Sequence, residues 1–113
     1  MTNDSVMVLI HYRTQPGKEE AGARELASLI ATVTAEESAC AGITMFQDVD
    51  DPARILLYER WASRAAYTGP HMQTAHIQAF IKKAPSFMDG PPAITFWQLT
   101  HEAPAAGESS NTR

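Results

Sequence analysis

A chain of 113 residues, 44% hydrophobic and 19% charged, has room for one domain with one modest core. Its formal net charge of −4 and its scattered Lys and Arg residues, adjacent only at Lys82 and Lys83, leave no electrostatic footprint for nucleic acid. No apolar run approaches the roughly 20 residues that span a bilayer, and MTNDSVMV has no basic segment ahead of its apolar stretch, so a cytoplasmic protein without a membrane partner is expected.

Val6 to Arg13 alternates Val6, Val8, Ile10 and Tyr12 with Met7, Leu9, His11 and Arg13, which suits a strand at least partly covered on both faces. Pro16 and Gly17 break that pattern. From Lys18 onward Leu26, Leu29, Ile30 and Val33 recur at helical spacing, with Glu19 and Glu20 in the first turn, where the helix dipole favours negative charge. This helix is expected to stop by Gly42. Cys40, the single cysteine, excludes an internal disulfide and a multi-cysteine metal site, and reads as a small packed thiol near the helix end.

Ile43 to Gln47 reads as a short strand, DVDDPAR as a turn, and Ile55 to Trp61 as the returning strand of a hairpin. Ser63 is placed to cap the next helix, which Gly69 and Pro70 should break, because proline removes a backbone donor and clashes with the preceding turn. A second helical segment is expected from near Met72 or Thr74, with Ile77, Phe80, Ile81 and Ala84 on one side. After the GPP turn at Gly90, Ala93 to Leu99 is rich in β-formers, and residues 101–113 have the small, polar composition of a flexible tail.

The order strand, helix, strand, strand, helix, strand is the split βαβ arrangement of the ferredoxin-like α+β class. Helices on one face of such a sheet leave the other face bare. Since the strands are apolar on both sides, a second copy of the chain is the expected cover, making a homodimer.

Chemistry-bearing residues cluster in the run YERWASRAAYTGPHMQTAHIQAF, Tyr58 to Phe80. It holds Trp61, Tyr67 and two imidazoles, His71 and His76, which titrate near neutral pH. Five residues apart on an unbroken helix, the two would be rotated about 140° from each other, unlike helical zinc ligands, so no metal site is expected. Glu59 is the one acid in a strand centre. Arg60 points to the opposite face, so Arg13 or a second subunit is the expected source of its countercharge.

Followed by SFMDGPPAITFWQL, this run resembles the antibiotic biosynthesis monooxygenase family of small dimeric α+β proteins, and HMQTAH is similar to its quinol monooxygenase branch. The resemblance covers about residues 5 to 100, a single domain of residues 1–100 preceding the tail, and implies that two sheets pair into a dimeric α+β barrel. It also implies that Trp61 and Tyr67 line a substrate cleft. The resemblance does not choose between the two imidazoles. By position, at the edge of an apolar helix face one turn from Phe80, His76 is the first choice as base, with His71 in the proline-broken segment second and His11 third, and His11 and Phe80 as further substrate contacts. Phe80 stands where haem-degrading relatives carry their haem-ligating His. Asn occurs only at Asn3 and Asn111, so the core Asn of the haem-degrading and polyketide-oxidising relatives has no counterpart, and one extra residue separates Trp61 from His71.

The function so implied is a cofactor-independent monooxygenase that uses dioxygen to convert a small phenol or hydroquinone to a quinone. No nucleotide-binding glycine motif is present, in keeping with the expectation of no cofactor. Two alternatives stand beside it: a cofactor-free isomerase of a small, phosphorylated or unphosphorylated, carbonyl metabolite, and a non-enzymatic dimeric ligand-binding module.

Overall fold

A computed structural model of the protein describes residues 5–109. Its elements are β1 (Val6–Arg13), α1 (Glu19–Glu36), β2 (Cys40–Gln47), β3 (Arg54–Trp61), α2 (Arg64–Thr68), α3 (Ala75–Lys83), β4 (Ala93–Trp97) and a short α4 (Ala106–Ser109). The four strands form one antiparallel sheet in the order β2-β3-β1-β4, the ferredoxin-like arrangement.

Strand alternation sorts the side chains into a helix-covered face and an open face. Val8 and Ile10 of β1 and Ile55, Leu57 and Trp61 of β3 are buried with Leu26 and Val33 of α1. On the other face β1 and β3 pair Met7 with Arg60 and Leu9 with Tyr58. That face is unfinished: Phe46 is 50% exposed and Trp97 54%.

Three local features place the site. Helix α1 stops at Glu36, earlier than the expected limit, because Glu37 turns to extended backbone while its N–H bonds the Val33 carbonyl. Cys40 therefore opens β2 instead of lying at a helix end. A register irregularity between Cys40 and Gly42 then brings Gly42 to φ +153, where a Cβ would lie 2.8 Å from the Arg60 guanidinium. Second, Gly22 lets α1 approach the end of β1 closely, since a Cβ there would come within 2.6 Å of the Thr14 methyl.

The third is the break after α2. Ser63 Oγ accepts from the Ala66 N–H at 3.0 Å to start α2, and Pro70–Gln73 forms a 3-10 turn after Gly69. Thr74 then restarts the helix: its hydroxyl accepts from the Ile77 N–H and donates to the His71 carbonyl at 2.8 Å. Ala106–Ser109 makes a helical turn within the segment expected to be a tail, and residues 110–113 lie outside the described residues. Among the described residues no helix is long and apolar enough to cross a membrane.

Candidate functional site

The end of β3 carries Trp61 beneath α2 and the 3-10 turn. Its ring lies edge-on to Tyr67, with centroids 5.5 Å apart, and 4.5 Å from the His71 ring. Tyr67 and His71 are 4.9 Å apart, and Tyr67 also meets Phe96 of β4 edge-on at 5.7 Å. Arg64 lies over the Phe96 ring, its guanidinium 4.2 Å from the centroid. The imidazole thus sits inside an aromatic enclosure.

His71 and His76 do not diverge as continuous-helix geometry would have them. The proline break turns both toward one carboxylate, that of Glu37 at the end of α1. His71 Nδ1 lies 3.0 and 2.9 Å from the two Glu37 oxygens, and His76 Nε2 lies 2.6 Å from Oε2. A carboxylate offers only lone pairs, so it fixes the His71 proton on Nδ1 and leaves Nε2 with its lone pair. Among the described residues that nitrogen accepts no hydrogen bond. The side chains run from interior to surface: His71 is 4% exposed, Glu37 11% and His76 17%. Burial holds His71 below the ordinary imidazole pKa, and the Glu37 hydrogen bond and charge oppose that shift. No group of three or more His, Cys, Asp or Glu among the described residues is arranged to hold a metal ion.

Glu37 escaped the sequence reading, although a signal was present. The last turn of α1 has Glu36, followed by Glu37, and no basic residue. Carboxylates are unfavourable beside the negative end of a helix dipole, so an acid there implies a partner elsewhere in the fold.

The second buried acid is Glu59, two residues before Trp61 on the same face of β3. Its Oε1 accepts the Trp61 indole N–H at 2.8 Å. Arg13, one of the two expected sources of countercharge, pairs instead with Asp51 at 3.0 Å, and Arg60 reaches the Ala41 carbonyl on the other side. Burial pushes the Glu59 pKa up to about 7, against the indole hydrogen bond, with the Glu37 charge adding to the rise. Tyr12 and Tyr67 are both raised, first by burial and then by the charge of Glu59.

His11 is a correction. It pairs with Leu56 on the open face, exposed, and lines a cavity with Phe46 and Ala93. Alternation carries it away from Trp61, so it does not share that cleft. Phe80 is buried, edge-on to Tyr12 at 6.1 Å and to Phe87 at 5.8 Å, and lines a shallow pocket with His76. Phe80 and Tyr12 together border an apolar cavity of about 560 Å³, completed by Ile81, Ala84, Met88 and Pro91.

A ferredoxin-like sheet with an aromatic and acid–base cluster under its second helical segment defines a class of small α+β proteins. The chain belongs to the antibiotic biosynthesis monooxygenase family, whose sequence profile matches residues 5–83. The crystal structure of PA3566 from Pseudomonas aeruginosa is similar with a TM-score of 0.79 at 23% identity, covering 89% of this chain and 99% of that one. Rv0793 from Mycobacterium tuberculosis gives 0.75 at 24% identity, covering 89% and 100%. A structure described as an antibiotic biosynthesis monooxygenase gives 0.74 at 19% identity, covering 85% and 99%. At these identities the likeness is one of fold. No curated protein matches the sequence.

Proposed function

We propose that the protein is a cofactor-independent oxygenase of the quinol monooxygenase type, converting a small phenol or hydroquinone to a quinone with dioxygen. The observation that carries this reading is His71, enclosed by Trp61 and Tyr67 and clamped through Nδ1 onto Glu37. Family membership supports oxygen chemistry, and the aromatic surroundings of His71 support a flat ring as substrate.

In this mechanism His71 Nε2 takes the phenolic proton, and Glu37 stabilises the imidazolium that forms. Dioxygen, a triplet, reacts sluggishly with closed-shell molecules, but the phenolate passes it one electron. In a phenol whose para carbon bears hydrogen, the resulting phenoxyl and superoxide join at that carbon and the peroxide receives the proton from His71. A hydroquinone instead gives up a second electron and proton, yielding quinone and hydrogen peroxide. Trp61 and Tyr67 hold the ring, as flat aromatic partners do. His76 acts through Glu37 and is a positioning residue. A second copy of the chain covers the open sheet face.

Oxygen uptake across a panel of hydroquinones, catechols and monohydric phenols tests the reading. The wild type consumes oxygen with at least one of them, and His71→Asn, which retains an N–H for Glu37, loses about 10²–10⁴-fold in rate. Equal rates in the two proteins would remove His71 as base.

A further inference from the structure

The base assigned above cannot reach a substrate as it stands. His71 is 3% exposed, Trp61 1% and Tyr67 5%. Their ring centroids, 4.5 to 5.5 Å apart, are already at the spacing of aromatic pairs, so no fourth ring fits between them. For a flat molecule to meet Nε2, part of this enclosure has to move.

The hydrogen bonds around the cluster say which part. His71 is tied from the side of α1 and α3: its Nδ1 to Glu37, and its carbonyl to the Thr74 hydroxyl at 2.8 Å and the Thr74 N–H at 3.2 Å. The Gln78 amide extends that tie by donating to the Met72 carbonyl at 2.6 Å. Helix α2 is held far less firmly. Of its five residues only Tyr67 is buried, and Arg64, Ala65 and Thr68 are exposed. It lies between the Ser63 cap and Gly69, whose N–H closes on the Ala65 carbonyl at 2.8 Å. A Cβ at Gly69 would lie 2.9 Å from that same oxygen, so this joint needs a glycine to close. From its first turn the Arg64 guanidinium, over the Phe96 ring, pins α2 to β4.

We propose that α2 is a lid over His71, with Gly69 as its hinge and Arg64 on Phe96 as its latch. The proposal deepens the oxygenase reading and rests on it for the identity of the entering ring. Opening carries Tyr67 away from Trp61 and His71, and a phenol enters against the Trp61 face. Closure brings Tyr67 down on the ring and excludes water from Nε2. His71 keeps its place throughout, because its own hydrogen bonds run to Glu37 and Thr74 and not to α2. A single cation on an aromatic face is weak enough for a five-residue helix to open while the sheet and α1 stay folded.

Diethyl pyrocarbonate, which acylates neutral imidazole nitrogens, reads access to His71 without any substrate. Mass spectrometry maps the modification at each histidine, with the exposed His101 as reference. In the wild type His71 reacts more slowly than His101. Arg64→Ala speeds His71 roughly threefold to tenfold relative to His101, and Arg64→Lys, which keeps a cation over Phe96, stays near the wild type. Both variants change an exposed side chain and are expected to fold. The rates hardly change in urea below the unfolding transition, because a local opening exposes little surface. An Arg64→Ala rate equal to that of the wild type, or a His71 rate that climbs with urea along the slope of global unfolding, overturns the lid. Oxygen uptake with 1-naphthol, catechol and hydroquinone is measured on the same proteins. No uptake with any of them, alongside a His71 rate that depends on Arg64, supports the lid and fails the oxygenase reading. Uptake alongside a His71 rate indifferent to Arg64 overturns the lid alone.

Discussion

Two buried residues titrate in opposite senses, and each leaves its mark on stability. Glu59 holds its proton more tightly folded than unfolded, so from about pH 4.5 to about pH 7 the native state carries the extra proton and stability falls as pH rises. Its stabilising effect is complete below that window and lost above it, a change of up to about 3 kcal/mol. His71, with its pKa depressed by burial, works the other way: stability is lost as pH falls below the ordinary imidazole range. The two windows overlap, so the wild-type curve alone does not separate them. The difference between wild type and Glu59→Gln does. Chemical denaturation at pH 5 and pH 8 should show Glu59→Gln gaining on the wild type by up to about 3 kcal/mol at the higher pH. A difference that is flat with pH would mean that Glu59 ionises as an ordinary carboxylate.

At the scale of elements, a strand period and a helix break were legible in the sequence, while the partner of each buried group was not. Trp61 falls on the helix face because it alternates with Leu57 and Ile55, and Pro70 predicts the break that Thr74 then repairs. The contact between Glu37 and His71 spans 34 positions and depends on where α1 ends relative to that break. Periodicity assigns a face to each residue; it does not say which helix end meets which turn. The rotation expected for His71 and His76 failed for the same reason, since it held only for an unbroken helix. His11 was placeable by alternation from Trp61 through the β1–β3 pairing, but that register is a tertiary fact.

The open sheet face is the other element-scale feature. Phe46, Tyr58 and Trp97 are large and exposed there, more apolar surface than a lone sheet face ordinarily leaves in water. A homodimer burying more than about 1,000 Å² over this face is expected. Light scattering at micromolar concentration should return twice the chain mass, and Trp97→Glu should shift it toward the monomer by placing a charge in the interface. A clean monomer mass for the wild type would remove the barrel arrangement while leaving the helix-side cluster intact.

For the whole molecule, the fold supplies a layered site. Aromatic rings of Trp61 and Tyr67 enclose a histidine, a carboxylate from α1 orients it, and a second carboxylate lies beneath on β3. Tyr12 and Phe80 border a separate apolar cavity. Such a site has the parts to bind a ring and to move protons, which is what oxygenation of a phenol requires of a protein without a bound cofactor. The most direct measurement is turnover of a monohydric phenol under ¹⁸O₂, with the quinone analysed by mass spectrometry. Oxygenation by this site gives quinone with one labelled oxygen atom and water carrying the other. Unlabelled quinone, its second oxygen taken from water and two molecules of hydrogen peroxide formed per quinone, would show electron transfer without insertion of dioxygen, and no quinone from any phenol would contradict the oxygenase function altogether.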